Sequence, residues 1–382
     1  MAPTAINTLL ADVRRVQATG VHVISLMRGE PDFPTPAHIT DAAVTAARAG
    51  RTGYPDNRGE LRLREAVVAK LARENATTYD PSREILVTTG ATLGIAAALL
   101  ALIDEGDEVL LPDPVYDAYL SPIVLAGGRP RLVGAPIRGG RFEIDLDALA
   151  SAVTPRTRVL LLNTPWNPVG TVFTRAEIEA IGAFVLRHQL TLISDEIYEA
   201  IVFEGHTHVS PASLSAELRE RTVLVNSLSK TYAMTGWRVG YCAAPVAVID
   251  AMLLLLQQMS RGPATFIQDA AAVALTGPQA CVADMQGGYA ERRAQVLAAL
   301  DDIPHARALA PEGGFFAMID VRDAGMPSND VRRRLLEDHG VAVAHGRAYG
   351  PGGEGTLRVS FASGGANLAA GLDRLRAGLL QL

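Results

Sequence analysis

The chain has 382 residues, 48% of them hydrophobic, and carries a formal net charge of −6 with a pI near 5.8. That is enough apolar material for one sizeable globular unit, or two domains sharing a core, and the acidic balance gives no footing for nucleic acid or an anionic membrane. Two cysteines are too few for a disulfide framework and fit a reducing compartment. With no basic-then-apolar leader, and 252–256 as the longest apolar run, the expected setting is a soluble, cytoplasmic one.

In chain order, residues 60–74 carry apolar positions at helical spacing with charges between them, which predicts a helix with Lys70 on its solvated face. From about 84 to 244, nearly continuous apolar runs at 84–88, 108–111, 158–162, 190–194, 222–225 and 239–242 alternate with helical patterns. This is the signature of a largely parallel sheet covered on both faces, an α/β architecture. Ligands bind such sheets beyond the carboxyl ends of the strands. The polar residues directly after the runs are therefore the ones to inspect: 89–92, Asp113, 163–167, Asp195 and 227–230.

A long helical stretch follows Pro245, and from about 280 the pattern becomes helix, strand at 313–319, helix, and a last strand at 357–361. It predicts a smaller α+β domain packed on the large one. The glycine-rich 352–355 reads as a flexible turn. His206 and His208, two apart with no third ligand nearby in sequence, read as a solvent-exposed pair, so no metal site is expected.

Only two of the 35 basic side chains are lysines, Lys70 and Lys230. Where a generic positive charge suffices this chain uses arginine, so a remaining lysine raises the question of what only an amine does. An amine can be desolvated, deprotonated and condensed with a carbonyl; a guanidinium cannot. Lys230 follows a buried strand and a break into small hydroxyl residues, Ser227-Leu228-Ser229, which makes it the candidate Schiff-base residue.

Asn167-Pro168-Val169-Gly170, Asp195-Glu196-Ile197-Tyr198, Ser227-Leu228-Ser229-Lys230, Gly236-Trp237-Arg238-Val239-Gly240 and Leu357-Arg358-Val359-Ser360 occur in this order over most of the chain, with Gly29-Glu30-Pro31-Asp32-Phe33 ahead of them. As a set they resemble the class I/II aminotransferases of fold type I, which use pyridoxal 5'-phosphate. The resemblance implies an N-terminal arm and part of a small domain in 1–40, a large cofactor-binding domain in 41–275 with a mostly parallel seven-stranded sheet, and a small C-terminal domain in 276–382.

Several roles have a physical reason of their own. The cofactor is an electron sink when its ring nitrogen is protonated, and a carboxylate at a strand end, Asp195, would keep it so. Gly90, Ala91 and Thr92 open a helix, whose N-terminal N–H groups suit a phosphate. Ser227 and Arg238, flanking Lys230, add a hydroxyl and a fork of donors, with Ser229 assisting.

Other roles are implied by the resemblance alone. Asn167 and Tyr198 match the residues at the ring hydroxyl, Tyr116 the aromatic stacked on the ring, and Arg358 the arginine that binds the substrate carboxylate with help from Gly29 and Asn167. Tyr54 matches a tyrosine that reaches the neighbouring subunit's phosphate, which implies a homodimer with shared sites.

The expected activity is transfer of an amino group from an L-amino acid to a 2-oxo acid in a ping-pong cycle. Segments 209–214, 226–237 and 266–271 are similar to an arginine:pyruvate transaminase branch, which points to a guanidino donor and pyruvate as acceptor. Arg261 stands near where aspartate-type members bind a distal carboxylate, although a solvated loop arginine is the simpler reading. Alternatives are a racemase, β-lyase, decarboxylase or oxidase on the same fold, and a non-catalytic ligand sensor, against which the lack of a basic helix-turn-helix pattern counts.

Overall fold

The computed structural model describes residues 5–382. After the helix α1 (Ala5–Gln17), the short strand β1 (Ile24–Ser25) and the helix α2 (Leu61–Glu74) come the strands of the main sheet: β2 (Ile85–Thr88), β3 (Glu108–Asp113), β4 (Arg129–Gly134), β5 (Thr157–Asn163), β6 (Thr191–Asp195), β7 (Thr222–Ser227) and β8 (Gly240–Ala243). Their order across the sheet is β2-β8-β7-β6-β5-β3-β4. All pairs are parallel except those of β8 with its neighbours β2 and β7. The helix α3 (Ala91–Leu102) packs over the middle of this sheet, its Ile95, Ala98 and Leu99 buried with Val109, Leu111, Val159 and Val223.

Every residue of β3, β6 and β7 except Thr191 is buried, which is why their sequences run apolar without alternation. β4 behaves differently. It is the edge strand, its exposure alternates, and it contains Pro130, whose missing N–H is harmless only where no further strand pairs.

The second sheet is antiparallel, with the order β9 (Arg307–Leu309), β10 (Phe316–Asp320), β13 (Thr356–Ser360), β12 (Ala344–His345). Its core of Phe315, Val359 and Phe361 also takes in Leu26 from the N-terminal segment and Tyr289 from the helix Ala280–Ala299. β1 pairs in parallel with β11 (Val341–Ala342) in a separate two-stranded sheet, which ties residues 24–25 to the C-terminal part of the chain. Among the described residues no helix is long and apolar enough to cross a membrane.

Two local expectations are corrected. Lys70 is not on a solvated face: it is 4% exposed, and its ammonium meets Asn75 Oδ1 at 2.7 Å and the Glu199 carboxylate. A long side chain at helical spacing looks the same from sequence whether it leans to water or into a polar core. The turn at 352–355 is not loose either. Gly352 N–H donates to Asp113 Oδ2 at 2.8 Å, and a Cβ on Gly353 would stand 2.2 Å from the Gly346 carbonyl oxygen. Glycine is there for close approach.

Candidate active site

The carboxyl ends of β3, β5, β6 and β7 open into a cavity of about 740 Å³, closed from the other side by α1, residues 25–29 and β13. It brings together Ala91, Thr92, Tyr116, Asn167, Asp195 and Tyr198 with Ser227, Ser229, Lys230 and Arg238, and on the facing wall Gly29 and Arg358. These are residues from eight separated stretches of sequence. Gly90 borders the cavity behind Arg238: a Cβ on it would lie 2.4 Å from Arg238 Nη2. Tyr54 is not part of the cavity in one chain. It is 86% exposed, with the Arg261 guanidinium 5.1 Å above its ring.

Asp195, at the end of β6, is 4% exposed. Burial pushes its carboxyl up to about 6, against two hydrogen bonds that favour the ion: from Tyr119 Oη to Oδ2 at 2.5 Å and from Ile197 N–H to Oδ1 at 3.2 Å. A protonated ring nitrogen brought to this carboxylate supplies the countercharge that burial calls for. Tyr119 was not singled out from sequence. The signal was available: it stands three residues after Tyr116 in the 3₁₀ turn Asp117–Tyr119, and the two rings meet edge-on at 5.3 Å.

Lys230 lies in a single helical turn, Leu228–Thr231, directly after β7. Its Nζ donates to the Gly29 carbonyl at 2.7 Å. Burial brings its amine down to about 8, opposed by Glu30 and helped by Arg238. Glu30 is held by Thr235 Oγ1 at 2.6 Å and by the Arg28 guanidinium, and its carboxyl lies below the ordinary range chiefly through the Thr235 bond.

Ser227 Oγ accepts from Ser229 N–H at 3.1 Å and lies 2.8 Å from both Ser229 Oγ and the Val239 carbonyl. Arg238 takes a left-handed backbone (φ 55°), and its Nη1 donates to the Thr235 carbonyl at 3.1 Å. That turn aims the guanidinium at Gly90 and the start of α3, where the free N–H groups of a 12-residue helix begin. Hydroxyls, fork and helix end make an anion cradle of the size and charge of a phosphate group.

On the opposite wall Arg358 is 6% exposed and sits between the rings of Phe316 and Tyr349, 4.1 and 4.7 Å from their centroids. Its Nη2 donates to the Met27 carbonyl at 2.7 Å and its Nη1 is 3.5 Å from Asn167 Oδ1. Nε is buried with no hydrogen-bond partner among the described residues. A buried donor of this kind is costly to leave unmet, and a carboxylate is the ligand a guanidinium fork fits. Tyr198 packs edge-on against Phe315 at 5.4 Å and is buried. The residues thus fit a phosphorylated aromatic aldehyde and an amino acid carboxylate together.

His206 and His208 are not a solvent-exposed pair. His208 is 8% exposed at the side chain and 3.0 Å from Glu196, while His206 is 31% exposed and 4.0 Å from Glu312. Glu196, Glu199 and His208 place ligand-type atoms within 4.8 Å of one another, and the Lys70 ammonium pairs with Glu199.

The aminotransferase class I and II family model matches residues 21–375. An aspartate/prephenate aminotransferase of Nitrosomonas europaea is 38% identical over 385 residues, 98% of this chain and 96% of that protein. An arginine–pyruvate transaminase of Pseudomonas aeruginosa is 38% identical over 357 residues, 93% and 90% of the two chains. Among solved structures, the aspartate aminotransferase of Thermus thermophilus with maleate superposes with a TM-score of 0.92 at 34% identity, covering 99% of this chain and 97% of that one. Agreement over nearly the full length of each means that the chain belongs to the class I and II aminotransferases, enzymes of fold type I that depend on pyridoxal 5'-phosphate.

Proposed function

We propose that this aminotransferase carries the amino group of an L-amino acid to a 2-oxo acid in two half-reactions at one site, with arginine or a related guanidino amino acid as donor and pyruvate as acceptor. The observation that carries the assignment of the site is the half-buried Lys230 amine, brought down to about 8, in one cavity with the buried Asp195 carboxylate and the guanidinium groups of Arg238 and Arg358. The guanidino donor rests on the similarity to the arginine–pyruvate transaminase.

Bound pyridoxal phosphate supplies the carbonyl carbon that takes up the amino group and the conjugated ring that spreads the electron pair left when the substrate Cα–H bond breaks. Around it each side chain has a task. Arg358, with Asn167 and the Gly29 backbone, holds the substrate carboxylate in the orientation that exposes one Cα–H bond. Lys230 Nζ would anchor the cofactor and, once released, would take the substrate Cα proton and deliver it to the cofactor's former carbonyl carbon. Asp195 would hold the proton on the ring nitrogen, Tyr198 and Asn167 would donate to the ring hydroxyl, and Tyr116 would cover the ring. Gly90, Ala91, Thr92, Ser227, Ser229 and Arg238 hold the phosphate.

The active unit we propose is a cytoplasmic homodimer in which Tyr54 reaches the partner's phosphate; a tyrosine 86% exposed on one chain suits that task. We take 41–275 as the large domain and 276–382 with 1–40 as the small one. A second reading, an aspartate- or glutamate-type donor, is favoured by Arg261, whose guanidinium sits over that same Tyr54 ring and would arrive in the partner's site with it. Absorbance spectra with arginine, glutamate, aspartate and alanine decide between them. Conversion of the cofactor's imine band to the amine form by arginine, reversed by pyruvate, is the expected result. Conversion by aspartate alone selects the second reading, and no imine band with added pyridoxal phosphate removes both.

A further inference from the structure

Asp195 and Ser227 face the cavity, while their chain neighbours Glu196 and Asn226 do not line it. Successive residues of a strand point to opposite sides, so whatever grips Glu196 and Asn226 grips the back of the same two strand ends. What grips them is one buried polar network built around Lys70.

Glu196 is fully buried and Glu199 has a side chain 8% exposed. The Lys70 ammonium bonds the Glu199 carboxylate and Asn75 Oδ1, the latter at 2.7 Å. Asn75 Nδ2 donates to both carboxylates, at 2.6 Å to Glu199 and 3.2 Å to Glu196. Asn226 Nδ2 donates to Glu199 Oε1 at 2.6 Å, and its own Oδ1 accepts the Ser227 N–H at 2.7 Å. Glu196 is completed by Ser194, Ser210 and His208. Burial pushes the Glu199 carboxyl up, yet Lys70 and His208 outweigh it and leave the group below the ordinary range.

We propose that Lys70 is a positioning residue for the transamination site: through Glu199 and Asn226 its ammonium fixes the end of β7 that carries Ser227 and Lys230, and through Asn75 and Glu196 the end of β6 that carries Asp195. Two carboxylates joined through one amide in a buried layer repel each other, and without the Lys70 ammonium on Glu199 and Asn75 they separate or draw in water. The strand ends would move with them. An arginine does not replace it in this enclosed site, because a planar fork needs more room than a compact ammonium. That accounts for the second lysine in a chain otherwise given to arginine.

The proposal rests on the reading of the front cavity as the cofactor site, and the wild-type protein controls for that: without an imine band on adding pyridoxal phosphate, the earlier reading fails and not this one. The test compares Lys70→Met and Asn226→Ala with wild type, all loaded with pyridoxal phosphate. The readouts are the visible circular dichroism of the bound cofactor, its dissociation constant, kcat and donor KM, and Tm. Both variants are expected to alter the visible dichroism and to lower kcat about 10- to 100-fold, with donor KM within about threefold, as a displaced reacting group does. Asn226→Ala keeps both charges but leaves the Ser227 N–H unmet and lowers Tm, so its kcat, dichroism and donor KM are read well below its own Tm, where the folded fraction is complete and a loss of kcat reports positioning. If Lys70→Met does not fold, Asn226→Ala decides alone. Dichroism and kcat within about twofold of wild type in Asn226→Ala overturn the proposal, whatever Lys70→Met does, because the route through Asn226 to Ser227 is its substance.

Discussion

Tyr119 donates to Asp195 at 2.5 Å, a neutral hydroxyl bonded to a buried carboxylate. The bond favours the charged form of Asp195 and opposes the burial that raises it to about 6. Tyr119→Phe removes the bond and leaves the ring packing. The Asp195 carboxyl then titrates higher, and its grip on a protonated ring nitrogen weakens. We expect kcat to fall about tenfold, on the scale of one charge-assisted hydrogen bond, with donor KM little changed; stopped-flow half-reactions check it.

Arg358 is the second case, because its Nη2 is already engaged by the Met27 carbonyl and its Nε is free for a carboxylate. Arg358→Lys keeps the charge and loses the fork. The expected outcome is a loss of about 3 kcal/mol in donor kcat/KM, roughly 100-fold, while the pyridoxal phosphate dissociation constant stays within about twofold. A fall in cofactor affinity of the same size would place Arg358 at the wrong end of the cavity.

The amine of Lys230 gives a pH dependence with a definite sign. Burial lowers it from 10.5 to about 8, so at pH 7 about a tenth of the chains carry the neutral nucleophile, against fewer than about one in a thousand for an ordinary lysine. The rate of pyridoxal phosphate capture by the cofactor-free chain should rise with pH through about 8 and level off above it. Lys230→Ala should show no capture at any pH. Linkage adds a further sign: between about 8 and 10.5 the unfolded chain binds the extra proton, so this group's contribution to stability rises with pH across that window.

Gly90 offers a test of the anion cradle. Its backbone (φ 80°, ψ 163°) is one that only glycine adopts freely, and a Cβ there would meet Arg238 Nη2 at 2.4 Å. Gly90→Ala should cost about 1–3 kcal/mol of stability from backbone strain and swing the guanidinium away, raising the pyridoxal phosphate dissociation constant. Thermal unfolding with and without inorganic phosphate separates the two effects: strain lowers Tm in both, and loss of the cradle removes the phosphate-dependent increment.

The sequence was legible where a residue's surroundings are set by its own strand. The six apolar runs from 84 to 242 are strands, because a strand buried on both faces has one pattern. Ala91, Thr92, Asn167, Asp195, Ser227, Ser229 and Lys230 after four of them line the cavity, whereas Asp113 does not and instead accepts from Gly352 N–H. β4 was invisible for the opposite reason: an edge strand with Pro130 and two arginines carries neither continuous nor clean alternating hydrophobicity. Lys70 and His208 were misread because an ion network between helix and sheet is made by residues far apart in sequence, and the apolar periodicity of the helix is the same with or without it. Tyr54 shows a different boundary: in one chain it is 86% exposed with Arg261 over its ring, so its task is visible only through resemblance.

The segment from Leu26 to Gly29 sends its carbonyls alternately to two masters. Leu26 and Arg28 carbonyls accept from Ser360, at its N–H and Oγ, and those of Met27 and Gly29 accept from Arg358 and Lys230. The guanidinium and the amine are therefore moored to the same strip of main chain, two residues apart, roughly 7 Å in extended backbone. Their spacing is a ruler cut from peptide geometry, set by main-chain carbonyls and not by the side chains at 27 and 28. Point substitution there leaves the interval alone, whereas inserting or deleting one residue turns both carbonyls to the Ser360 side and unmoors the two cations at once.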